Sequence, residues 1–124
     1  MTYSHVWEPE GVYMKFWGET SGQEIDEAID HIRNHPDLPK LKFAIADYLD
    51  VDKFLVTRYQ TLIIAAHDHW ISKANANLKI ALLGNKAEVL DAFSTYAESP
   101  VISGTFEVRT FTDLADARGW VSLQ

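Results

Sequence analysis

The chain has 124 residues, 47% of them hydrophobic and 12% aromatic, enough for one core and too few for a second domain of ordinary size. It has no cysteine, which excludes disulfides, thiolate metal sites and thiol nucleophiles, and its formal net charge of −7 repels phosphate backbones and anionic membrane surfaces, so nucleic acid is not an expected partner. The opening MTYSHVWEPEG lacks a basic start followed by an apolar stretch, and no run approaches the roughly 18 apolar residues of a membrane span, so a cytoplasmic location is expected.

An apolar run at His5 to Trp7 and a second at Val12 to Trp17 flank Glu8-Pro9-Glu10-Gly11, a polar turn, and predict an antiparallel hairpin. In the second run Val12, Met14 and Phe16 alternate with Tyr13, Lys15 and Trp17, one buried face against one half covered. Ser21 and Glu24 form a capping-box pattern, and Ile25, Ala28, Ile29 and Ile32 follow at helical spacing, predicting a helix over Ser21 to His35 that Pro36 stops. Leu41 to Asp47 reads as a central strand closing on an aspartate. Tyr48 to Val56 breaks every period and reads as a mobile loop.

A second box, Thr57 to Gln60, opens a helix near Thr57 to Lys73 that is too apolar for one stripe, so its outer face is expected to meet a partner. Leu78 to Leu83 is a strand ended by Gly84. A third box, Asn85 to Glu88, opens a helix with Val89, Leu90, Phe93, Tyr96 and Ala97 on its inner face, ended by Pro100. Phe106 to Phe111 alternates as a half-exposed edge strand, and a short helix carrying Leu114, Ala117 and Trp120 follows Asp113. The alternation predicts an α/β fold: one domain with a mostly parallel, about five-stranded sheet, an antiparallel N-terminal hairpin and about four helices. Right-handed crossovers limit the strand order without selecting one.

No motif forces a reaction. His31 and His35 stand at the i, i+4 spacing that brings two imidazoles to one metal, but no third ligand is near, and imidazoles in a last turn gain from the helix dipole. His67-Asp68-His69 diverge around a helix and read as a solvated face. There is no nucleophile elbow, and Gly84-Asn85-Lys86 lacks the glycines of a dinucleotide fingerprint. The best candidate site is the C-terminal sheet edge, where Asp47, Asp50 and Asp52 are expected to meet Thr57; such carboxylates bind cations or move protons, though loop aspartates are also ordinary turn formers.

Val12 to Gly18 ahead of a capped helix, Lys42 to Asp47 (KFAIAD), Phe54 to Thr57 (FLVT), Lys79 to Gly84 (KIALLG), Phe106 to Phe111 (FEVRTF) and Ala117 to Trp120 (ARGW) together resemble the small bacterial STAS-type proteins related to the anti-sigma-factor antagonists, in the SpoIIAA-like branch. The resemblance covers nearly the whole chain and concerns the pattern of a fold rather than a catalytic signature. In signalling members an Asp-Ser-Ser-Gly string opens a helix and its first serine is phosphorylated; here Val56-Thr57-Arg58-Tyr59 stands in its place, keeping only a hydroxyl at Thr57. A phosphate there would lie at a helix N-terminus beside Arg58. The branch also resembles the CRAL-TRIO lipid-binding fold, which implies an apolar ligand, although a lipid-sized cavity needs roughly 300 Å³.

The expectation is a non-enzymatic STAS-like module that binds a protein partner or a small ligand, without cofactor or metal. Its candidate binding residues are Asp47, Asp50, Asp52, Phe54, Thr57 and Arg58, and a homodimer is expected through Tyr59 and Trp70 of the second helix. The alternatives are an apolar-ligand (lipid) carrier, or a small enzyme or metal site around Asp47 to Thr57 or the histidine pair.

Overall fold

A computed structural model describes residues 2–123. Five strands form one sheet in the order β1 (Tyr3–Trp7), β2 (Gly11–Ser21), β3 (Phe43–Leu55), β4 (Lys79–Leu83), β5 (Glu107–Phe111). The β1–β2 pair is antiparallel and every later pair is parallel, so the expected hairpin and parallel sheet are both present. The strand order that the sequence left open is the sequential one. The hairpin closes through the Glu8 N–H, which donates to the Gly11 carbonyl at 2.8 Å.

Helices α1 (Gly22–Arg33), α2 (Arg58–His69), α3 (Ile71–Ala74), α4 (Ala87–Glu98), α5 (Pro100–Ser103) and α6 (Leu114–Val121) connect and follow the strands. The inner stripes of α1, α2 and α4 pack on one sheet face around Val12, Met14, Phe16, Ala44, Ala46 and Tyr48. On the opposite face α6 lays Ala117, Trp120 and Val121 over Phe43, Ile45, Ala81 and Leu83. Among the described residues no helix is long and apolar enough to cross a membrane.

Three local expectations are corrected. The segment Tyr48 to Val56, read as a mobile loop, continues β3 as far as Leu55, with Trp17 opposite Asp50 and Ser21 opposite Leu55. Its period is hidden because the β2–β3 register shifts twice, between Lys15 and Trp17 and between Gly18 and Glu19, and each extra residue reverses the in/out pattern that alternation relies on. Gly18 supplies the backbone for the second shift at φ +66°, a left-handed conformation that costs a side-chain-bearing residue. Ion pairs then cross the two strands, Lys15 to Asp50 at 2.8 Å and Lys53 to Glu19 at 3.7 Å.

The second helix does not run unbroken to Lys73. It ends at Trp70, where the Ser72 hydroxyl donates to the His69 carbonyl at 2.6 Å, and a single turn follows as α3. The capping box at Asn85 does not form either. Lys86 takes the extended cap conformation, so Asn85 lies one residue outside the helix and α4 begins without a side-chain cap. What fixes this entry is Gly84: a Cβ there would lie 2.7 Å from Val89 Cγ1 and 2.9 Å from the Phe93 ring, so the strand end and the helix approach as closely as they do only without a side chain. Of the other two boxes, only the one at Thr57 is complete; at Ser21 the cap forms, but the Glu24 carboxylate accepts from the Thr2 and Ser21 hydroxyls. Ser21 Oγ accepts from the Glu24 N–H, and at Thr57 both halves are made: Thr57 Oγ1 accepts from the Gln60 N–H at 3.1 Å and Gln60 Oε1 accepts from the Thr57 N–H at 2.9 Å.

Candidate functional site

Extending β3 takes apart the carboxylate cluster expected at the sheet edge. Asp47 lies in mid-strand, 5% exposed on the α6 side, where it accepts from the Tyr13 hydroxyl and, at 2.9 Å, from the Leu49 N–H. Burial, together with that carboxylate, holds the Tyr13 phenol well above its usual range. Asp50 is exposed and paired with Lys15, and Asp52 is exposed further along. At about 3.3 Å per residue, the strand carries Leu55 roughly 25 Å beyond Asp47. Thr57 is an exposed helix cap, and the Arg58 guanidinium, instead of lying free for a phosphate, donates to Thr95 Oγ1 on α4 at 3.1 Å. Among the six candidate binding residues only Phe54 lines the cavity described below.

The histidine pairs are also separated. His35 stacks on Trp7 with ring centroids 3.8 Å apart, and its Nδ1 accepts from the Asp37 N–H at 3.0 Å, while His31 lies beside His5 at 5.1 Å. Among the described residues no group of three or more His, Cys, Asp or Glu side chains is placed to hold a metal ion.

A cavity of about 80 Å³ lies between the sheet and the α1, α2 and α4 layer. Most of its wall is aliphatic, including Met14, Ile25, Ala46, Ile64 and Leu82, and Phe54, Val56 and Ala92, each half-buried, form its outer rim. The space follows from small residues on the sheet floor: Ala44 and Ala46 stand where β3 crosses under α2 and α4, while Tyr48 and Phe93 line the space with Phe93 edge-on to Tyr48 at 5.3 Å, and Phe16, outside the lining, stacks on Tyr48 at 4.6 Å.

The remaining wall is polar and heavily buried. Asp68, 4% exposed, comes from the inner stripe of α2. Its Oδ2 accepts from the Tyr96 hydroxyl at 2.7 Å and its Oδ1 from Arg33 Nη2 at 2.8 Å. The same guanidinium nitrogen donates to Asp26 Oδ1 at 2.7 Å, Nη1 donates to Asp30 at 2.8 Å, and His67 Nδ1 donates to Asp26 Oδ2 at 2.9 Å. Burial pushes the Asp68 carboxyl up, and Arg33 and Tyr96 pull it back. Burial also opposes the charge on Arg33, but Asp68 and Asp26 outweigh it and hold the guanidinium above its ordinary value. Thr61 Oγ1 donates to the Thr57 carbonyl at 3.2 Å. Tyr48, 6% exposed, makes no hydrogen bond among the described residues, and burial followed by the Asp68 charge raises its phenol pKa.

Reading His67-Asp68-His69 as a solvated face therefore missed the central residue. His67 is half exposed and His69 donates through Nδ1 to the Val101 carbonyl at 3.0 Å, but Asp68 points inward. The signal was present: Thr61, Ile64, Ala65 and Asp68 fall on one stripe, and a carboxylate on a buried stripe needs a partner. The outer face of α2 carries a second line, Tyr59, Leu62, Ala66 and Trp70, in which Tyr59 is 73% and Trp70 69% exposed.

No family model matches the chain, and no curated protein does. Among solved structures, an uncharacterised protein of the DUF3478 family from Shewanella loihica PV-4, described as having a SpoIIAA-like fold, is similar at 14% identity and a TM-score of 0.56, over 96% of this chain and 91% of that one. With the hairpin, the sequential sheet and the helix layer described above, that correspondence along nearly the whole of both chains gives this protein a SpoIIAA-like fold.

Proposed function

We propose that the protein is a non-enzymatic binding module that holds a small ligand in the cavity beneath α2. The observation that carries this reading is a largely aliphatic space, about 80 Å³, with an unpartnered phenol on its wall. Sites for drug-sized ligands measure about 300–1,000 Å³, so the occupant is much smaller than a lipid. The aliphatic wall supplies affinity by desolvation and the few polar groups supply orientation.

Ala46→Leu tests the reading directly, because Ala46 is 4% exposed and lines the cavity floor. Where the space exists, the added carbons fill it and the variant is as stable as the parent or more so, while native mass spectrometry shows that it has lost a small molecule retained by the parent. Where the core is already full, overpacking lowers stability by about 1–3 kcal/mol, and an unchanged mass in both proteins completes the contradiction.

A second reading rests on the outer face of the same helix. Tyr59, Leu62, Ala66 and Trp70 form an exposed apolar line, and the acid that α2 carries, Asp68, is buried. In a chain of net charge −7 this face lets two copies meet without opposing carboxylates. The module is thus a homodimer through α2, with the ligand against one side of the helix and the second copy against the other. Sedimentation of the parent and of Tyr59→Glu/Trp70→Glu should give a dimer and a monomer respectively; a parent that stays monomeric at high concentration refutes the dimer and leaves the cavity untouched.

A further inference from the structure

Resting on the ligand-binding reading, we infer that the cavity selects a small uncharged molecule with an aliphatic body and one hydrogen-bond acceptor, a ketone, ether or alcohol oxygen that receives the Tyr48 O–H. The polar inventory of the wall leads to this chemistry. Tyr96 spends its proton on Asp68, Thr61 spends its own on the Thr57 carbonyl, and both Asp68 oxygens already accept, one from Arg33 and one from Tyr96. Tyr48 lines the same cavity, is 6% exposed, and is the wall hydroxyl left with a proton to give among the described residues. Tyr48 is buried as a residue, yet its oxygen is not sealed in the wall, so its proton is open to an occupant of the space.

Charge narrows the class further. An anionic ligand beside Tyr48 would face the Asp68 carboxylate, whose charge reaches that phenol. A cation would find both oxygens of that carboxylate engaged by Arg33 and Tyr96. Size sets the body. A dry cavity of about 150 Å³ accommodates the six carbons of benzene, so one near half that volume takes about three to four non-hydrogen atoms. Acetone has that size, a carbonyl acceptor and no charge.

The test is a methyl NMR titration of the intact protein with acetone, following Ile25, Ile64, Ile80 and Leu82, all of which line the cavity. Saturable shifts confined to these methyls are expected, and Tyr48→Phe, which keeps the ring and its stacking on Phe16, should weaken acetone about fivefold, the size of one hydrogen bond, while leaving xenon uptake at the same methyls unchanged. Equal acetone affinity in the two proteins, as when a water molecule already satisfies Tyr48, overturns the assignment of the acceptor. Xenon binding without acetone binding overturns the ligand class and keeps the cavity. Absence of saturable shifts with either probe overturns the cavity reading itself, and the inference with it.

Discussion

Replacing Arg33 with Met is expected to destabilise the protein by about 3–5 kcal/mol, because it strands the Asp68 carboxylate in the core without its cation. The Arg33 side chain is 12% exposed and the Asp68 side chain 6%, so water cannot take over the pairing at 2.8 Å. The loss should depend on pH in a stated direction. Burial raises the Asp68 pKa, and without Arg33 it raises it further, so the folded variant binds a proton that the unfolded chain does not hold at the same pH. A group whose folded pKa is raised contributes stability below its unfolded pKa and loses it as pH rises through the folded value. The gap between Arg33→Met and the parent is therefore widest near neutral pH and narrows toward pH 4. Asp68→Asn added to Arg33→Met should recover part of the loss at neutral pH, since an amide needs no counter-ion. Urea denaturation at several pH values reads all three results; a pH-independent gap would show that Arg33 acts through packing alone.

Asp26 runs the other way. Burial opposes its charge, but Arg33 and His67 outweigh it and hold the carboxyl below its usual range, so its contribution is present above the unfolded carboxylate pKa and is lost on further acidification. Through Asp26 the parent loses stability on acidification, a loss that Arg33→Met, without the Arg33 partner, shares to a smaller extent. One guanidinium links both behaviours, because its Nη2 atom donates to Asp26 and to Asp68.

Phe93→Ala should cost about 3–5 kcal/mol, a value typical of a buried aromatic truncated in a packed core. Phe93 is 5% exposed, edge-on to Tyr48, and would lie 2.9 Å from a Cβ placed on Gly84, so its ring joins the cavity wall to the entry of α4. Removing it merges the ring's volume with the existing space. Benzene should then stabilise Phe93→Ala in proportion to its concentration and leave the parent unaffected, since binding only to the native state adds stability by mass action. Thermal melts across a benzene series report this; a Phe93→Ala protein that benzene does not stabilise would mean that neighbouring side chains collapse into the gap.

The elements that periodicity could reach were legible in the sequence. The α1 stripe of Ile25, Ala28 and Ile32, the complete box at Thr57 and the cap at Asp113, whose carboxylate accepts from the Asp116 N–H at 3.1 Å, follow from local rules and are found where those rules place them. The far half of β3 was not legible, because two register shifts scrambled its alternation, and the expected site fell with it: Asp47, Asp50 and Asp52 gather only on a loop, and a strand spreads them. The cavity was hidden for another reason. It depends on what Ala44 and Ala46 leave unfilled beneath α2 and α4, a property of facing elements that no single stretch of chain encodes. Phe54 belongs to both accounts, chosen as a loop aromatic and found on the cavity rim.

The most direct measurement is a high-resolution crystal structure of the protein as purified. Electron density for a small molecule is expected within the space bounded by Ile25, Ala46, Ile64, Leu82 and Phe93, with an oxygen at hydrogen-bond distance from Tyr48 Oη. A core in which those side chains close over the space, with the Tyr48 hydroxyl bonded to the protein itself, would contradict the ligand-binding reading.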